Sequence, residues 1–352
     1  MKRLIILTDE DGSFLVSRAD FKNFTSMDVE KIRDYFSAKG FEVQVIKFSA
    51  FDLTANYKGI YILYQTSEAE GSFYKRYIED VIFLLQKQGA ITLPVYEYLK
   101  AHHDKVFMEM LRMRFRDEAL KSISTYCYGS WIDAHNYDGA FPVVVKNIST
   151  TSGLGVYLAR DRGDYLKKAK KAGKVILAKD IFDFVVLKIK NLVKNLLKFL
   201  FPARSDYVRY DTTPLSSPII VQTFIQGLSG DYKVLIFGKK YYCMYRKNRA
   251  NDFRASGSEN FNEVPDEEMR GLLDFARKLT FEIDFPIFGI DIGFDGISYH
   301  LIEFQMIHIG TSALQRSNFW HEYHDGNWIK FDGKSDLEEE FSRAVYEFII
   351  GS

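Results

Sequence analysis

The chain has 352 residues, which is too long for one simple core, so two or three closely packed lobes are expected. Lysine plus arginine and aspartate plus glutamate both total 47, and this zero formal charge predicts no nucleic-acid partner. The two cysteines, Cys127 and Cys243, lack metal-ligand spacing, which argues against a disulfide framework or a zinc site. The apolar run at the N-terminus is too short for a signal-peptide core, which predicts a cytoplasmic protein.

Strand and helix patterns alternate through the N-terminal part of the chain. Gly40 and Gly89 are placed as helix terminators after two of the helical stretches. The alternation predicts a mixed α/β fold class with a small parallel α/β lobe over residues 1–102. The predicted strands are 3–8, 42–48, 59–64 and 90–94, and the predicted helices are 26–40 and 73–88.

In the rest of the chain, several predicted strands follow one another without a helix between them. A helix is predicted from His103 to about Lys121, and a hairpin with a long glycine-containing tip follows it. The hairpin strands are 141–146 and 155–159, the later strands are 218–225, 232–237, 240–245, 288–293 and 299–305, and the later helices are 165–171, 266–279 and 335–349.

One segment, residues 181–201, has the pattern of an amphipathic basic helix. Its polar face carries asparagines and lysines such as Lys194 and Lys198, and its other face carries Ile189, Leu192 and Leu196. Its lysines make it a poor bilayer span. Three interpretations remain open: packing on the enzyme or on the second subunit of a homodimer, peripheral contact with the inner face of a membrane, or a lid over a substrate.

Several scattered residues carry the chemistry. Lys146 ends an apolar strand and opens a small-residue loop, which is the arrangement in which a lysine and backbone amides hold phosphates. Asp291 and Glu303 lie in apolar strands, and Gln305 follows. Because an unpaired carboxylate is costly to bury, a metal ion or another cation is the natural partner of these acids. These residues predict a protein that binds ATP and magnesium.

The order of these motifs resembles the ATP-grasp superfamily, in particular the glutathione synthetases, D-alanine:D-alanine ligases and ribosomal-protein glutamate ligases. Residues 103 to 310 carry the resemblance, through Asp-Lys at 104–105, Pro-Val-Val-Val-Lys at 142–146, Gly-Asp-Tyr-Lys-Val at 230–234 and the acids at 291 and 303. The resemblance implies an ATP-grasp fold, in which two α+β subdomains grip ATP after the parallel lobe. The expected domains are 1–102, 103–225 with an amphipathic insertion at 181–217, and 226–352.

The resemblance also assigns roles to individual residues. ATP contacts fall on Lys105, Lys146, Ser149, Thr150, Thr151, Ser152, Gly153, Gly155, Gln222, Thr223, Phe224, Ile225 and Asp231, and magnesium, as two ions, on Asp291, Glu303 and Gln305. Arg246 and Arg254 follow the strand that faces the nucleotide in this family and are the candidate catalytic residues, because arginine stays charged and pairs with phosphate or carboxylate. Three residues depart from the family's common pattern. Gln305 stands where the family commonly has asparagine, Thr223 where it has glutamate, and Lys233 where it has arginine.

The implied activity is ATP-dependent ligation of a carboxylate to an amine through an acyl phosphate. The small-molecule substrates stay open among sugar acids, amino acids and peptides. Two alternatives keep the ATP site: a kinase that phosphorylates a hydroxyl, and a non-catalytic ATP-binding module.

Overall fold

The structure is a computed structural model. It describes residues 2–16, 25–67, 73–148, 155–173, 216–249, 252–255 and 261–351, together with Ile189. The amphipathic segment 181–201, apart from Ile189, and the loop residues Ser149, Thr150, Thr151, Ser152 and Gly153 lie outside the described residues. The chain forms two compact units, one of Met1–Ser124 with Ile225–Ser352 and one of Thr125–Phe224. The division at 102 and 225 into three domains stays a prediction.

The N-terminal part of the first unit is the predicted parallel α/β lobe. Its elements are β1 (Arg3–Thr8), β2 (Leu15–Val16), β3 (Thr25–Ser26), α1 (Val29–Ala38), β4 (Glu42–Lys47), β5 (Tyr61–Tyr64), α2 (Phe73–Lys87), β6 (Ile91–Leu93) and α3 (Tyr96–His103). The sheet order is β4–β1–β5–β6, and all of its neighbouring strands are parallel. Leu4, Ile5, Ile6 and Leu7 in β1 are all buried, as expected for a parallel strand covered on both faces.

The predicted helix from His103 to Lys121 is wrong in its extent. The chain instead forms α3, then α4 (Lys105–Arg112), then a 3₁₀ turn at Glu118–Lys121. Asp104 separates the helices because its backbone is extended and its carboxylate caps α4 by accepting hydrogen bonds from the N–H groups of residues 106 and 107. The helix does not resume at Arg116 because the N–H groups of residues 116 and 117 donate to Glu282 Oε1, each at 3.1 Å.

The second unit contains the predicted hairpin. Its elements are β7 (Thr125–Tyr128), β8 (Val143–Asn147), β9 (Val156–Ala159), α5 (Arg162–Gly173) and β10 (Ile219–Thr223). The sheet order is β7–β10–β8–β9, with antiparallel pairing. The hairpin closes where the Asn147 N–H donates to the Gly155 carbonyl at 3.0 Å, and Gly155 has a φ of +70° that suits glycine.

An antiparallel sheet forms the C-terminal part of the first unit. Its elements, with flanking helices, are β11 (Gly230–Phe237), β12 (Lys240–Lys247), β13 (Phe261–Asn262), α6 (Asp266–Lys278), β14 (Ile287–Phe294), β15 (Tyr299–Gln305), α7 (Ser312–Arg316), β16 (Phe319–His324), β17 (Asn327–Asp332) and α8 (Leu337–Gly351). The order is β15–β14–β11–β12–β16–β17, with β13 beside β12. Buried residues of the parallel lobe, such as Leu4 and Phe36, share one hydrophobic core with Val234, Ile290 and Phe341.

No helix among the described residues is long and apolar enough to cross a membrane.

Candidate active site

The predicted acids lie on one face of the antiparallel sheet. Asp291 in β14 is directly opposite Glu303 in β15 on one side and Lys233 in β11 on the other. Arg246 in β12 is opposite Asp231, two residues before Lys233. Residues opposite one another, or two apart along a strand, point to the same side of a sheet. The sheet therefore brings these five residues and Gln305 together as a charged face: Asp231, Lys233, Arg246, Asp291, Glu303 and Gln305.

Arg246 joins the two aspartates of the charged face. Its guanidinium forms a two-pronged contact with Asp231, from Nε to Oδ1 at 2.6 Å and from Nη2 to Oδ2 at 2.9 Å. The same Nη2 lies 2.8 Å from Asp291 Oδ2, and Lys233 Nζ lies 3.1 Å from Asp291 Oδ1. Because these side chains are at most 14% exposed, water screens the contacts weakly.

Arg246 and Lys233 determine which aspartate carries its charge most firmly. Burial opposes the ionised form of Asp291, but Arg246 and Lys233 outweigh it and hold the pKa of Asp291 well below its usual value. Burial raises the pKa of Asp231, and the nearby Asp291 charge raises it further, against the effect of Arg246. A proton taken up by the pair would therefore reside on Asp231 and leave Asp291 ionised.

The Glu303 end of the charged face is more exposed than the Asp291 end. Gln305 Nε2 donates to Glu303 Oε1 at 2.8 Å, and Lys105 Nζ, from the first turn of α4, lies 3.7 Å from Glu303 Oε2. The Glu303 side chain is 23% exposed, against 14% for Asp291. Glu303 is thus the most exposed acid on this face and the most accessible to a ligand.

A β-bulge beside Glu303 sets the direction of that side chain. The register passes from Asp291 opposite Glu303 to Ile292 opposite Leu301, which leaves Ile302 as the extra residue. Leu301 and Glu303 would share a face in a regular strand, but the bulge separates them. As a result Leu301 is buried while Glu303 stays on the charged face.

Arg112 holds this bulge and was not found from the sequence. A bulge disrupts the strand ladder, and buried carbonyl oxygens need other donors. Arg112 Nη1 donates to the Leu301 carbonyl at 2.6 Å, and Nη2 donates to the Ile302 carbonyl at 2.8 Å. Arg112 is 2% exposed, and the carboxylate of Glu109, 1% exposed, lies 3.3 Å from its Nη2.

One face of α4 therefore contacts β15 at two places. Lys105 and Arg112 are seven residues apart, which is two helical turns, so they point to the same side of the helix. Lys105 approaches Glu303, and Arg112 binds the carbonyls just before it. The only sequence signal for Arg112 was its heptad spacing from Lys105.

The oxygen atoms on the charged face suit a hard cation. Asp291 Oδ1 lies 3.1 Å from the Lys233 ammonium, and a carboxylate oxygen has lone pairs for a second positive partner. Magnesium prefers carboxylate and amide oxygens, which Asp291, Glu303 and Gln305 supply. Within the described ranges, no three His, Cys, Asp or Glu side chains converge as metal ligands. A magnesium site here would thus combine two carboxylates with the Gln305 amide.

The predicted nucleotide residues of the second unit lie on its sheet. Lys146 in β8 is opposite Val156 in β9 and Ile220 in β10, next to the point where the hairpin closes. Gln222, in β10, is 3% exposed and donates from Nε2 to Thr125 Oγ1 at 3.0 Å.

The predicted adenine segment 222–225 falls where the chain passes from the second unit back to the first. Thr223 is exposed at the end of β10, and the Phe224 N–H donates to the Pro142 carbonyl at 3.2 Å. Ile225 is the first residue of the returning chain.

Arg254 is placed differently from Arg246. Its guanidinium pairs with Asp252, two residues away, with Nη2 2.6 Å from Oδ2. Arg246 thus pairs with acids on two neighbouring strands of the charged face, whereas Arg254 pairs with an acid two residues before it in the chain.

Comparison with known proteins gives a likeness in structure alone. No protein-family model matches the chain, and no curated protein matches it in sequence. Solved structures do match. The Bacillus anthracis D-alanine–D-alanine ligase is 12% identical with a TM-score of 0.47, over 99% of this chain and 97% of that one. A RiPP-associated ATP-grasp ligase from Chryseobacterium gregarium, in complex with ADP and a leader and core peptide, is 11% identical with a TM-score of 0.47, over 100% and 97%.

A third match is a RimK domain ATP-grasp protein from Sphaerobacter thermophilus, 11% identical with a TM-score of 0.44, over 86% of this chain and 90% of that one. These matches are ATP-grasp proteins, the superfamily that the sequence motifs resemble. The fold class is mixed α/β with parallel and antiparallel sheets, as predicted.

Proposed function

We propose that the protein is an ATP-dependent ligase that joins a carboxylate to an amine through an acyl phosphate. The observation that carries the proposal is the charged face, where Asp291 and Glu303 are opposite one another and cations from three other elements approach them. Such a face can hold a magnesium nucleotide, because it offers carboxylates to the metal and fixed positive charges to the phosphates.

The roles of the residues follow from their contacts. Asp291, Glu303 and Gln305 would hold magnesium, which neutralises phosphate charge when it is bound. Lys105 lies near Glu303 and would contact the terminal phosphate. Arg246 stays charged beside Asp291 and would stabilise negative charge that develops on the reacting groups. Lys146 keeps its proposed contact with phosphate, and residues 222–225 keep theirs with adenine.

The reaction would proceed in two displacements. A carboxylate oxygen of the first substrate attacks the γ-phosphorus of ATP, and ADP leaves with the electrons of the broken P–O bond. The amine nitrogen of the second substrate then attacks the acyl carbon, and phosphate leaves as the amide forms. Both displacements occur between the substrates, so this scheme needs no side-chain nucleophile.

Trapping with hydroxylamine tests the proposal without knowledge of the amine. The protein is incubated with MgATP, hydroxylamine and a panel of amino acids, dipeptides and sugar acids, and both ADP and hydroxamate are measured. We expect at least one acid to give ADP and hydroxamate in equal amounts. Glu303→Gln should lower both by about a hundredfold or more, while Glu322→Gln, an acid in β16 away from the charged face, should leave them unchanged.

Two results would overturn the proposal. ADP release with a stable phosphorylated hydroxyl product and no hydroxamate would identify a kinase. Tight ATP binding with no acid-dependent ADP release across the panel would identify a nucleotide-binding module.

A further inference from the structure

Three polar side chains in the parallel lobe form a hydrogen-bonded relay. Glu79 in α2 lies with Oε1 2.6 Å from His103 Nδ1, and His103 Nε2 lies 2.6 Å from Thr66 Oγ1. Glu79 Oε2 also accepts a hydrogen bond from Lys100 Nζ at 3.2 Å, so both carboxylate oxygens are engaged. Thr66 is 1% exposed and the His103 side chain 5% exposed. We call Thr66, His103 and Glu79 the relay.

The contacts fix the direction of each hydrogen bond. An ionised carboxylate only accepts hydrogen bonds, so His103 Nδ1 donates to Glu79. In neutral imidazole, Nε2 is then the acceptor, and the Thr66 hydroxyl donates to it. The Ser67 carbonyl oxygen, at 3.4 Å from Thr66 Oγ1, is a more distant acceptor than His103 Nε2. The Thr66 proton is therefore directed towards His103, and its oxygen lone pairs point elsewhere.

The relay stands at the edge of the sheet where α/β proteins bind ligands. Thr66 follows the carboxyl end of the parallel strand β5, which ends at Tyr64. In open parallel sheets, ligands bind in the crevice outside this end of the strands. The relay brings a hydroxyl, an imidazole and a carboxylate together at that edge.

Two connections place the relay close to the charged face. Gln65, next to Thr66, accepts a hydrogen bond at 3.0 Å from the N–H of His308, which is three residues beyond Gln305. His103 is two residues before Lys105, which lies beside Glu303. Two or three residues of extended chain span at most roughly 7–11 Å, so both connections are short.

The acids of the charged face already have cationic partners. An acceptor amine is an ammonium ion at neutral pH and must lose a proton before it can attack a carbonyl carbon. Asp291 and Glu303 would hold magnesium, and Arg246 and Lys233 already lie within 3.1 Å of Asp291. Asp231 is bound on both oxygens by Arg246. A histidine is better matched to this proton transfer near neutral pH.

We infer that the relay binds the ammonium group of the acceptor substrate at Thr66 Oγ1 and removes a proton from it. This inference rests on the proposed ligase function. The proton passes from the ammonium nitrogen to Thr66 Oγ1 as the Thr66 proton passes to His103 Nε2, and the resulting imidazolium is stabilised by Glu79. The neutral amine then attacks the acyl carbon, phosphate leaves, and a second amine proton leaves with it. Because Thr66 is buried, acceptor binding must open access to it.

The groups around His103 are compatible with this role. Burial lowers the pKa of His103, and Glu79 acts in the opposite direction, so the ring is neutral and able to accept a proton at neutral pH. The charged and titratable groups that face it come from its own helix and from its neighbours: Glu79 and Lys75 in α2, and Lys100 and His102 in α3. The His308 ring lies 5.9 Å from that of His102.

Comparison of two acceptors separates this role from a structural one. Hydroxylamine is uncharged at neutral pH and needs no base, whereas amino acids present an ammonium group. With the acid found by hydroxamate trapping, we expect His103→Gln and Thr66→Val to lower amide formation with the amino acid panel by about a hundredfold or more while hydroxamate formation stays within about threefold. Thr66→Ser should restore amide formation, because it keeps the hydroxyl.

A matched control lies in the same lobe. Thr92 is 2% exposed and its hydroxyl donates to Gln86 Oε1 at 3.1 Å, so Thr92→Val removes a buried hydrogen bond outside the relay. This variant should treat both acceptors as the wild type does. Equal loss of hydroxamate and amide in the relay variants, or no loss of either, would overturn the inference. So would a wild type that forms hydroxamate but accepts no amine of the panel, whereas absence of hydroxamate would count against the ligase function itself.

Discussion

The charged face and the relay are both buried hydrogen-bonded networks that contain carboxylates, but the partners of those carboxylates differ. Arg246 and Lys233 compensate the acids of the charged face, and the guanidinium of Arg246 keeps its charge at neutral pH. The relay instead places a histidine between a carboxylate and a hydroxyl. A network of permanent charges suits the binding of phosphate and metal, whereas a histidine network suits the transfer of a proton.

The difference also concerns how each network is supported. The charged face spans four neighbouring strands and depends on a bulge held by a buried arginine from α4. The relay joins two helices to the end of one strand. Removing a support of the charged face should therefore cost more stability than removing the histidine of the relay.

The largest expected effect is that of Arg112→Met. The variant removes both donors to the carbonyls of residues 301 and 302 and leaves the carboxylate of Glu109 buried without its cation. Breaking a buried ion pair in this way costs about 4 kcal/mol of the free energy of unfolding, which urea denaturation measures. Arg116→Met should change it by less than about 1 kcal/mol, because the Arg116 side chain is 79% exposed.

A double variant separates the ion pair from the bulge. Replacing Glu109 and Arg112 together by methionine removes the uncompensated charge, so most of the lost stability should return. The loss that remains reports on the two carbonyl contacts. A double variant as unstable as Arg112→Met would mean that the bulge contacts account for the whole effect.

A smaller loss is expected for Arg246→Met, about 2 kcal/mol. Asp231 and Asp291 would then face one another without the arginine, but Lys233 would still compensate Asp291, and Asp231 could take up a proton. Thermal and urea unfolding near neutral pH measure this loss. Arg254→Met is the matched control, and its local pair with Asp252 should contribute less than about 1 kcal/mol. Equal losses in the two variants would contradict the special position of Arg246.

The smallest expected effect is a dependence on pH that distinguishes the two networks. The pKa of His103 is lowered in the folded protein, so protonation favours the unfolded chain as the pH falls below the unfolded value of about 6.5. The stability that wild type has over His103→Gln should therefore decrease between pH 7.5 and 5.5.

The contribution of Asp291 to the free energy of unfolding should not change between pH 7.5 and 5.5. The pKa of Asp291 is lowered, so its contribution is present above the unfolded value of about 4 and is lost only at lower pH. Denaturation of wild type, His103→Gln and Asp291→Asn at several pH values checks both statements. A constant difference between wild type and His103→Gln would contradict the first.

Local patterns predicted most of the elements around the charged face. The strand bearing Glu303 has its predicted bounds, and that bearing Asp291 differs by one residue at each end, because apolar runs between turn residues give a strong local signal. The hairpin of β16 and β17 was missed, since its aromatic, histidine and charged residues do not alternate cleanly. The helix α3 was missed, and the predicted helix that begins at His103 was extended to Lys121, whereas α4 ends at Arg112.

The pairings within the site could not be read from the sequence. Asp291 meets Lys233 and Arg246 because three strands lie in register, and this register depends on contacts between distant parts of the chain. The bulge at Ile302 changes the face of Leu301 without any glycine or proline to mark it. Thr66, Glu79 and His103 are far apart in the sequence, and only the folding of the lobe brings them into hydrogen-bond contact.

The central claim is that the charged face holds magnesium together with ATP, and calorimetry tests it most directly. ATP is titrated into wild type and into Glu303→Gln, with and without Mg²⁺, under conditions where both proteins are folded. We predict that Mg²⁺ raises the affinity of wild type for ATP and that Glu303→Gln loses about tenfold or more of this increase, which is roughly 1.4 kcal/mol. The same increase in both proteins would contradict the account.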